Sequence, residues 1–263
     1  EVTSRLLDPK LEIIAPVRIW EFKTRDQEID YCKKKGIKID VTKKSPYSID
    51  LNLYGRSIEC GVLEDPWREP PEEIYAITAN PLKAPSKPAY VTIDFKYGVP
   101  SKVNGKSYPS TDLIHKLNVL GGKHSVGRVD MVENSLVGIK SREIYENPAG
   151  TMIHAAKHEL ECLVLDRETF QYKQSLSQKY AQLVYNGLWE TPVREQLDAY
   201  FKKVCEKLSG TIKLKLYKGT CTVVGRKSIH SRYKEELATY GSKDKFDQSL
   251  ADGFMQLWAM PYS

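Results

Sequence analysis

The chain is poor in the features that mark several protein classes. No apolar run approaches the ~18 residues needed for a membrane span. Glu1-Val2-Thr3-Ser4-Arg5 carries no signal-peptide pattern, and without an initiating Met the start reads as a cut or processed end. Cysteine is sparse: Cys32, Cys60, Cys162, Cys205 and Cys221 are odd in number and widely spaced, with no Cys-x-x-Cys. That argues against a disulfide framework or a zinc site and fits a reducing, cytoplasmic setting. Cys162 and Cys205 fall in helical patterns and read as small core residues rather than nucleophiles. There is no basic stretch interleaved with aromatics. The net charge is +6, but its densest clusters, Lys33-Lys34-Lys35 and Lys43-Lys44, read as solvated faces, so neither nucleic acid nor membrane is an expected partner.

Two motifs fall short of the chemistry they evoke. His154-Ala-Ala-Lys-His158 puts two imidazoles on one helical face, but Ala155 stands where a zincin needs Glu, so a polar helix face and no metal site is expected. Gly121-Gly122-Lys123-His124 lacks the spacing of a phosphate loop and follows a helix, which makes it a helix stop. Internal repeats and low-complexity tracts are also missing.

What remains is a 263-residue chain, 41% hydrophobic and 28% charged, long enough for a sizeable core. Residues 11–15 predict a short buried strand ended by Pro16, followed by a helix from Arg25 to Lys35 closed by Gly36 and a strand from Ile37 to Val41. This opening resembles the tail of an α/β domain. Glu64 to Pro88 holds six prolines and excludes a regular element; Trp67, Ile74 and Tyr75 are its expected anchors. Tyr90 to Val103 predicts a hairpin turning at Tyr97-Gly98. Ser110 or Thr111 caps a helix with Leu113, Ile114, Leu117 and Leu120 on one face. A second hairpin has arms near 128–133 and 136–140.

Helices are expected over Pro148–Leu165, over Glu168–Tyr185, and from Pro192, with Thr191 as N-cap and Gly210 beyond the end. A third hairpin joins Thr211–Tyr217 to Thr220–Val224. Grouped hairpins and grouped helices give an α+β class, a mixed or antiparallel sheet packed with helices.

The candidate site residues are individually weak. Ser48 and Ser57 read equally as caps or turn residues. Glu133, where an alternating strand enters a turn at Asn134, is turn chemistry or a carboxylate aimed at a cation. Tyr145 is by default an amphipathic core tyrosine.

Their order along the chain is more telling. Pro46-Tyr47-Ser48-Ile49-Asp50, Gly61-Val62-Leu63-Glu64-Asp65-Pro66-Trp67, Gly122-Lys123-His124-Ser125-Val126-Gly127-Arg128-Val129-Asp130, Val132-Glu133-Asn134 and Lys140-Ser141-Arg142 leading to Tyr145 together resemble the synthetase domain of argininosuccinate synthase. The resemblance runs from about residue 11 to 255. It implies a ligase that joins citrulline and aspartate while ATP becomes AMP and pyrophosphate, with Mg2+ screening the phosphates, in a cytoplasmic homotetramer. It implies that Ser48, Ser57, Glu133 and Tyr145 bind citrulline, with no catalytic, cofactor or metal residue in this chain. The family's Ser-Gly-Gly pyrophosphate loop is missing, so ATP and Mg2+ are not expected to be held by this chain alone.

Residues 1–41 are then a remnant of the nucleotide-binding domain, 42–240 the citrulline-binding and oligomerisation domain, and 241–263 a tail. The competing expectation is a non-catalytic relative acting as an interaction module.

Overall fold

The computed structural model describes residues 1–39 and 47–262. Helix α1 (Val2–Leu7) is followed by α2 (Arg25–Lys34), which Thr24 opens with a capping box: its hydroxyl accepts from Gln27 N, and the Gln27 side chain accepts from Thr24 N. Strands β1 (Ser48–Leu51) and β2 (Arg56–Glu59) pair, and the proline-rich stretch follows with only short 3-10 turns. Next come β3 (Ala89–Lys96), β4 (Val99–Val103), β5 (Lys106–Ser107) and α3 (Ser110–Lys123), then the hairpin β6 (Arg128–Asn134) and β7 (Lys140–Glu146). Helices α4 (Pro148–Val164), α5 (Arg167–Tyr185) and α6 (Pro192–Cys205) precede the hairpin β8 (Gly210–Tyr217) and β9 (Thr220–Lys227). Short α7 (Glu235–Ala238) and exposed α8 (Leu250–Ala259) complete the described chain.

The class is α+β. Two sheets form, ordered β1-β2-β7-β6 and β5-β4-β3-β8-β9, and every pairing among the described residues is antiparallel. The larger sheet carries the main core. Alternation along β3 and β8 sends Val91, Ile93, Phe95, Ile212, Leu214 and Leu216 inward against Leu113 and Leu117 of α3 and Met152, Ala156 and Leu160 of α4. Each such large side chain contributes roughly 1.5–3 kcal/mol by leaving water. The smaller sheet covers a separate cluster of Ile58, Leu63, Ile74 and Ile144.

The proline-rich segment satisfies only part of its backbone through its own short turns, and side chains of β6 and β7 serve much of the rest. The Glu146 carboxylate, with no exposure at all, accepts from the backbone N–H groups of Ala76 (2.9 Å), Ile77 (3.0 Å) and Thr78 (2.8 Å) and from the Thr78 hydroxyl. Arg128 makes a bidentate pair with Glu72 at 2.8 and 2.7 Å, lies 3.7 Å from the Tyr75 ring centroid, and donates to the carbonyls of Thr78 and Ala79. Arg142 pairs with Asp130 and donates to the carbonyls of Asp65 and Arg68. Ile74 and Tyr75 anchor the segment as expected, but Trp67 is 95% exposed and anchors nothing.

Several local expectations fail for physical reasons. Residues 11–15 form no strand; nothing among the described residues pairs with them, and Ile14 is 77% exposed. Residues 37–39 are irregular, and the rest of the strand expected there lies outside the described residues, as does Lys43-Lys44. Helix α3 runs through Gly121-Gly122 to Lys123, and Pro109 rather than a hydroxyl precedes it. The glycines mark close packing: a Cβ at Gly122 would sit 2.1 Å from the Ile77 carbonyl oxygen. The second arm of the central hairpin is 140–146, because Ser135 to Ile139 form the turn. Around α6 the expectations hold: Thr191 is its N-cap, with the hydroxyl donating back to the Leu188 carbonyl, Pro192 is its first residue, and Gly210 lies beyond its end, where it opens β8. Cys162 is exposed on α4, while Cys205 packs against the core.

Candidate functional site

Register decides which side chains of the smaller sheet share a face. In β1 and β2, Ser48 is opposite Glu59 and Asp50 is opposite Ser57. Ser57 is opposite Tyr145, and Tyr145 is opposite Val129. Two residues along, Glu143 faces Met131, and Ser141 faces Glu133. Directly opposite residues and residues two apart on a strand point to the same side. All four sequence-derived candidates, Ser48, Ser57, Glu133 and Tyr145, therefore lie on one face, although Ser48 and Ser57 are strand residues and not caps. The opposite face carries Ile58 and Ile144 into the small core and Glu146 into the proline-rich segment.

The candidate residues also touch. The Tyr145 hydroxyl donates to Glu133 Oε2 at 2.9 Å. Burial first, and the Glu133 carboxylate second, hold the Tyr145 hydroxyl well above the ordinary phenol range, so it stays protonated and remains a donor. Tyr185 at the end of α5 donates to the Asn134 carbonyl at 3.2 Å, fixing the end of β6 where Glu133 sits. All four side chains are partly open, so a ligand can reach them.

Glu59, Glu143, Ser141 and Asp50 share this face and were missed from the sequence. Ser141 donates to Glu143 Oε1 at 2.7 Å. Burial first, and the neighbouring carboxyl of Glu59 after it, raise the Glu143 carboxyl to about 7. The alternation Ser141, Glu143, Tyr145 was legible, but only the register places Glu59 on the same face as Glu143.

Gly121-Gly122-Lys123-His124 forms no phosphate loop. Gly121-Gly122-Lys123 is the carboxyl end of α3, where helix carbonyls disfavour phosphate, and the two glycines are occupied by packing against Ile77, Pro148 and Met152. Among the described residues no group of three or more His, Cys, Asp or Glu could hold a metal ion. His154 and His158 sit on α4 as a polar face, with His158 near Gln174 and Cys162. No described helix is long and apolar enough to cross a membrane.

Comparison with known proteins identifies the family. Residues 47–263 match the family described as the arginosuccinate synthase C-terminal domain. The chain is 51% identical over 263 residues to the argininosuccinate synthase of Aquifex aeolicus, covering 99% of this chain and 66% of that one. It is 52% identical over 260 residues to that of Caldanaerobacter subterraneus, covering 99% and 63%, and 50% identical over 260 residues to that of Chlorobium luteolum, covering 99% and 65%. It thus spans just under two thirds of the length of these relatives, and a stand-alone interaction module is not favoured. The chain belongs to the argininosuccinate synthase family and corresponds to its C-terminal part.

Proposed function

We propose that this chain supplies the citrulline side of an argininosuccinate synthase, the ligase that joins citrulline and aspartate and converts ATP to AMP and pyrophosphate. The observation that carries the reading is the convergence of Ser48, Ser57, Glu133 and Tyr145 on one open sheet face, with Tyr145 bonded to Glu133. The chemistry needs such a grip. A ureido carbon is a poor electrophile, and transfer of AMP to its oxygen creates the leaving group that the aspartate amine then displaces. Much of the acceleration comes from holding the reactants in line.

In this reading Glu133 takes the α-ammonium of citrulline through a charge-assisted bond. The three hydroxyls, which can both donate and accept, hold its remaining polar atoms. None of the four need act as a general base. ATP and Mg2+ belong to the portion of the relatives that this chain does not span, where the metal would screen phosphate charge. Residues 1–41 are assigned to a remnant of the nucleotide-binding domain, 42–240 to the citrulline-binding and oligomerisation domain and 241–263 to a tail, within a cytoplasmic homotetramer.

The test is calorimetric titration of citrulline into the chain and into Glu133→Ala. Binding by the chain that falls at least tenfold in the variant, with an unchanged circular dichroism spectrum, supports the reading. Undiminished binding by the variant overturns it.

A further inference from the structure

The turn between β1 and β2 stands beside α3 and the proline-rich segment, and together they line a cleft of about 470 Å3, a volume in the range that holds small organic molecules. Its apolar walls are Leu51, Leu53, Ile77 and Val119, all exposed. Its polar side chains are Arg56, Asn52, Asn118 and His115, with no carboxylate among them.

Arg56 is the buried member, 9% exposed. Its Nε has no partner. Its polar contact is Nη1 to Glu146 Oε2 at 3.4 Å, an ion pair longer than a charge-assisted hydrogen bond. Glu146 is engaged elsewhere: it accepts from the N–H groups of Ala76, Ile77 and Thr78 and from the Thr78 hydroxyl, and it does not line the cleft. A buried guanidinium with unused donors is costly until something accepts from it.

The two amides offer the same chemistry. Asn52 Oδ1 accepts from the N–H groups of Tyr54 and Gly55, and Asn118 Oδ1 accepts from that of Ala149. Those bonds fix which end of each amide is oxygen, so each NH2 group remains a donor. His115 adds an imidazole that can also donate. The unused capacity of these side chains is therefore donors, set among apolar walls.

We propose that this cleft binds a small monocarboxylate with an apolar tail. The carboxylate is taken by the fork of Arg56, whose planar geometry matches two oxygens, and by the asparagine amides; the tail lies along Leu53, Ile77 and Val119. The site is distinct from the candidate citrulline face. Arg56 stands opposite Glu146 and its neighbour Ser57 opposite Tyr145, and adjacent residues of a strand point to opposite sides, so the cleft lies behind the sheet.

The experiment is titration of hexanoate into the 263-residue chain, followed by NMR at the His115 ring and the Asn52 and Asn118 side-chain amides. Hexanoate shifts these signals with a Kd on the order of 1 mM, and hexanamide and inorganic phosphate bind at least about tenfold more weakly. Arg56→Met abolishes the effect. Because loss of Arg56 also leaves Glu146 without its ion pair, Val119→Glu is the second variant: it sets a negative charge at an exposed helix position, keeps the circular dichroism spectrum, and weakens hexanoate at least about tenfold. Glu133→Ala leaves hexanoate binding unchanged. No shift at about 10 mM hexanoate overturns the site. Equal binding of hexanamide reduces it to an apolar groove, and equal binding of phosphate to an adventitious ion only; either overturns it. So does hexanoate binding that survives Val119→Glu or disappears in Glu133→Ala. A chain that sediments as a dimer, becomes a monomer in Val119→Glu and ignores hexanoate would give the cleft to a second copy and overturn the proposal as well.

Discussion

Tyr145 and Ser57 stand directly opposite each other on neighbouring antiparallel strands, and from that position the Tyr145 hydroxyl reaches across β6 to donate to Glu133. The bond presents the Glu133 carboxylate in one orientation. Tyr145→Phe removes the donor while keeping the ring in place. A hydrogen bond to a charged group is worth ~1.5–3 kcal/mol, so citrulline affinity should fall on the order of tenfold. The thermal midpoint should move little, because the hydroxyl lies in a partly open site. Calorimetry alongside a melting curve checks both; a large loss of stability with unchanged affinity would reassign Tyr145 to the core.

Glu143 makes stability depend on pH in a known direction. Its carboxyl is raised from 4.5 to about 7 by burial and by Glu59. Between those two values the folded chain binds more protons than the unfolded one, so this group's contribution falls as pH rises from about 4.5 to about 7 and is flat above. Glu143→Gln keeps the shape without the charge. Relative to the native chain it should gain on the order of 2 kcal/mol at pH 8 and almost nothing at pH 4, read from urea midpoints at each pH. A variant whose advantage shrinks with rising pH would contradict the assignment.

How far the sequence could go is clear from these residues. The start of α2 at Arg25 was legible because a helix start is a local affair, here a capping box that Thr24 and Gln27 close within four residues. The alternation in Ala89–Lys96 announced β3 for the same reason, since a face is encoded in every second side chain. Ser48, Ser57, Glu133 and Tyr145 were picked through resemblance; as isolated residues they read as caps, a turn and a core ring. Their common face depends on pairing across gaps of tens of residues, which no local pattern specifies. Gly121-Gly122 was misread as a stop because the partner that demands glycine, the Ile77 carbonyl, comes from a segment with no periodicity. Residues 11–15 were misread because apolar composition alone cannot supply a neighbouring strand.

Glu146 is the anchor of the proline-rich segment, and its removal should be felt as a fold defect. Glu146→Ala strips acceptors from three backbone N–H groups and from Thr78, and leaves Arg56, 9% exposed and 3.4 Å from the carboxylate, without its counter-charge. Breaking one side of such a buried pair costs ~3–5 kcal/mol. Urea unfolding should show that loss, and hydrogen exchange should rise at the amides of Ala76, Ile77 and Thr78 before other parts of the chain open. Unchanged protection at these three amides would show that Arg128 and Arg142 hold the segment without Glu146.

Gly122 and Gly105 separate two uses of glycine. Gly122→Ala forces a methyl to 2.1 Å from the Ile77 carbonyl oxygen, a backbone atom that cannot swing away, so α3 must shift from the segment it packs on. Overpacking of this kind costs ~1–3 kcal/mol or more. Gly105 has a φ of +76° with open space around it, so Gly105→Ala meets only backbone strain of ~1–2 kcal/mol. The difference should appear in side-chain order as well as in stability. Gly122→Ala perturbs amide shifts of residues 76–79 on the partner segment, whereas the Gly105→Ala shifts stay within its own turn. If both variants behave alike, close approach is not what places glycine at 122.

Lys173 and Glu161 form a nearly dry ion pair between α5 and α4, with Nζ to Oε2 at 2.9 Å and Glu161 only 2% exposed. Glu161 Oε1 has no partner, so the pair does not recover all that its burial forfeits. Two variants distinguish the attraction from the burial cost. Lys173→Met leaves a carboxylate alone in a low-dielectric setting and should destabilise by ~3–5 kcal/mol. The double variant Lys173→Met with Glu161→Leu removes both charges and fills the same space with apolar atoms. It should return to within ~1 kcal/mol of the native chain or exceed it, because the desolvation of two charges disappears together with their attraction. Thermal midpoints of the native chain, these two variants and Glu161→Leu alone give the coupling. A double variant as unstable as the single one would mean that packing at the α4–α5 contact, and not charge, is what Lys173 supplies.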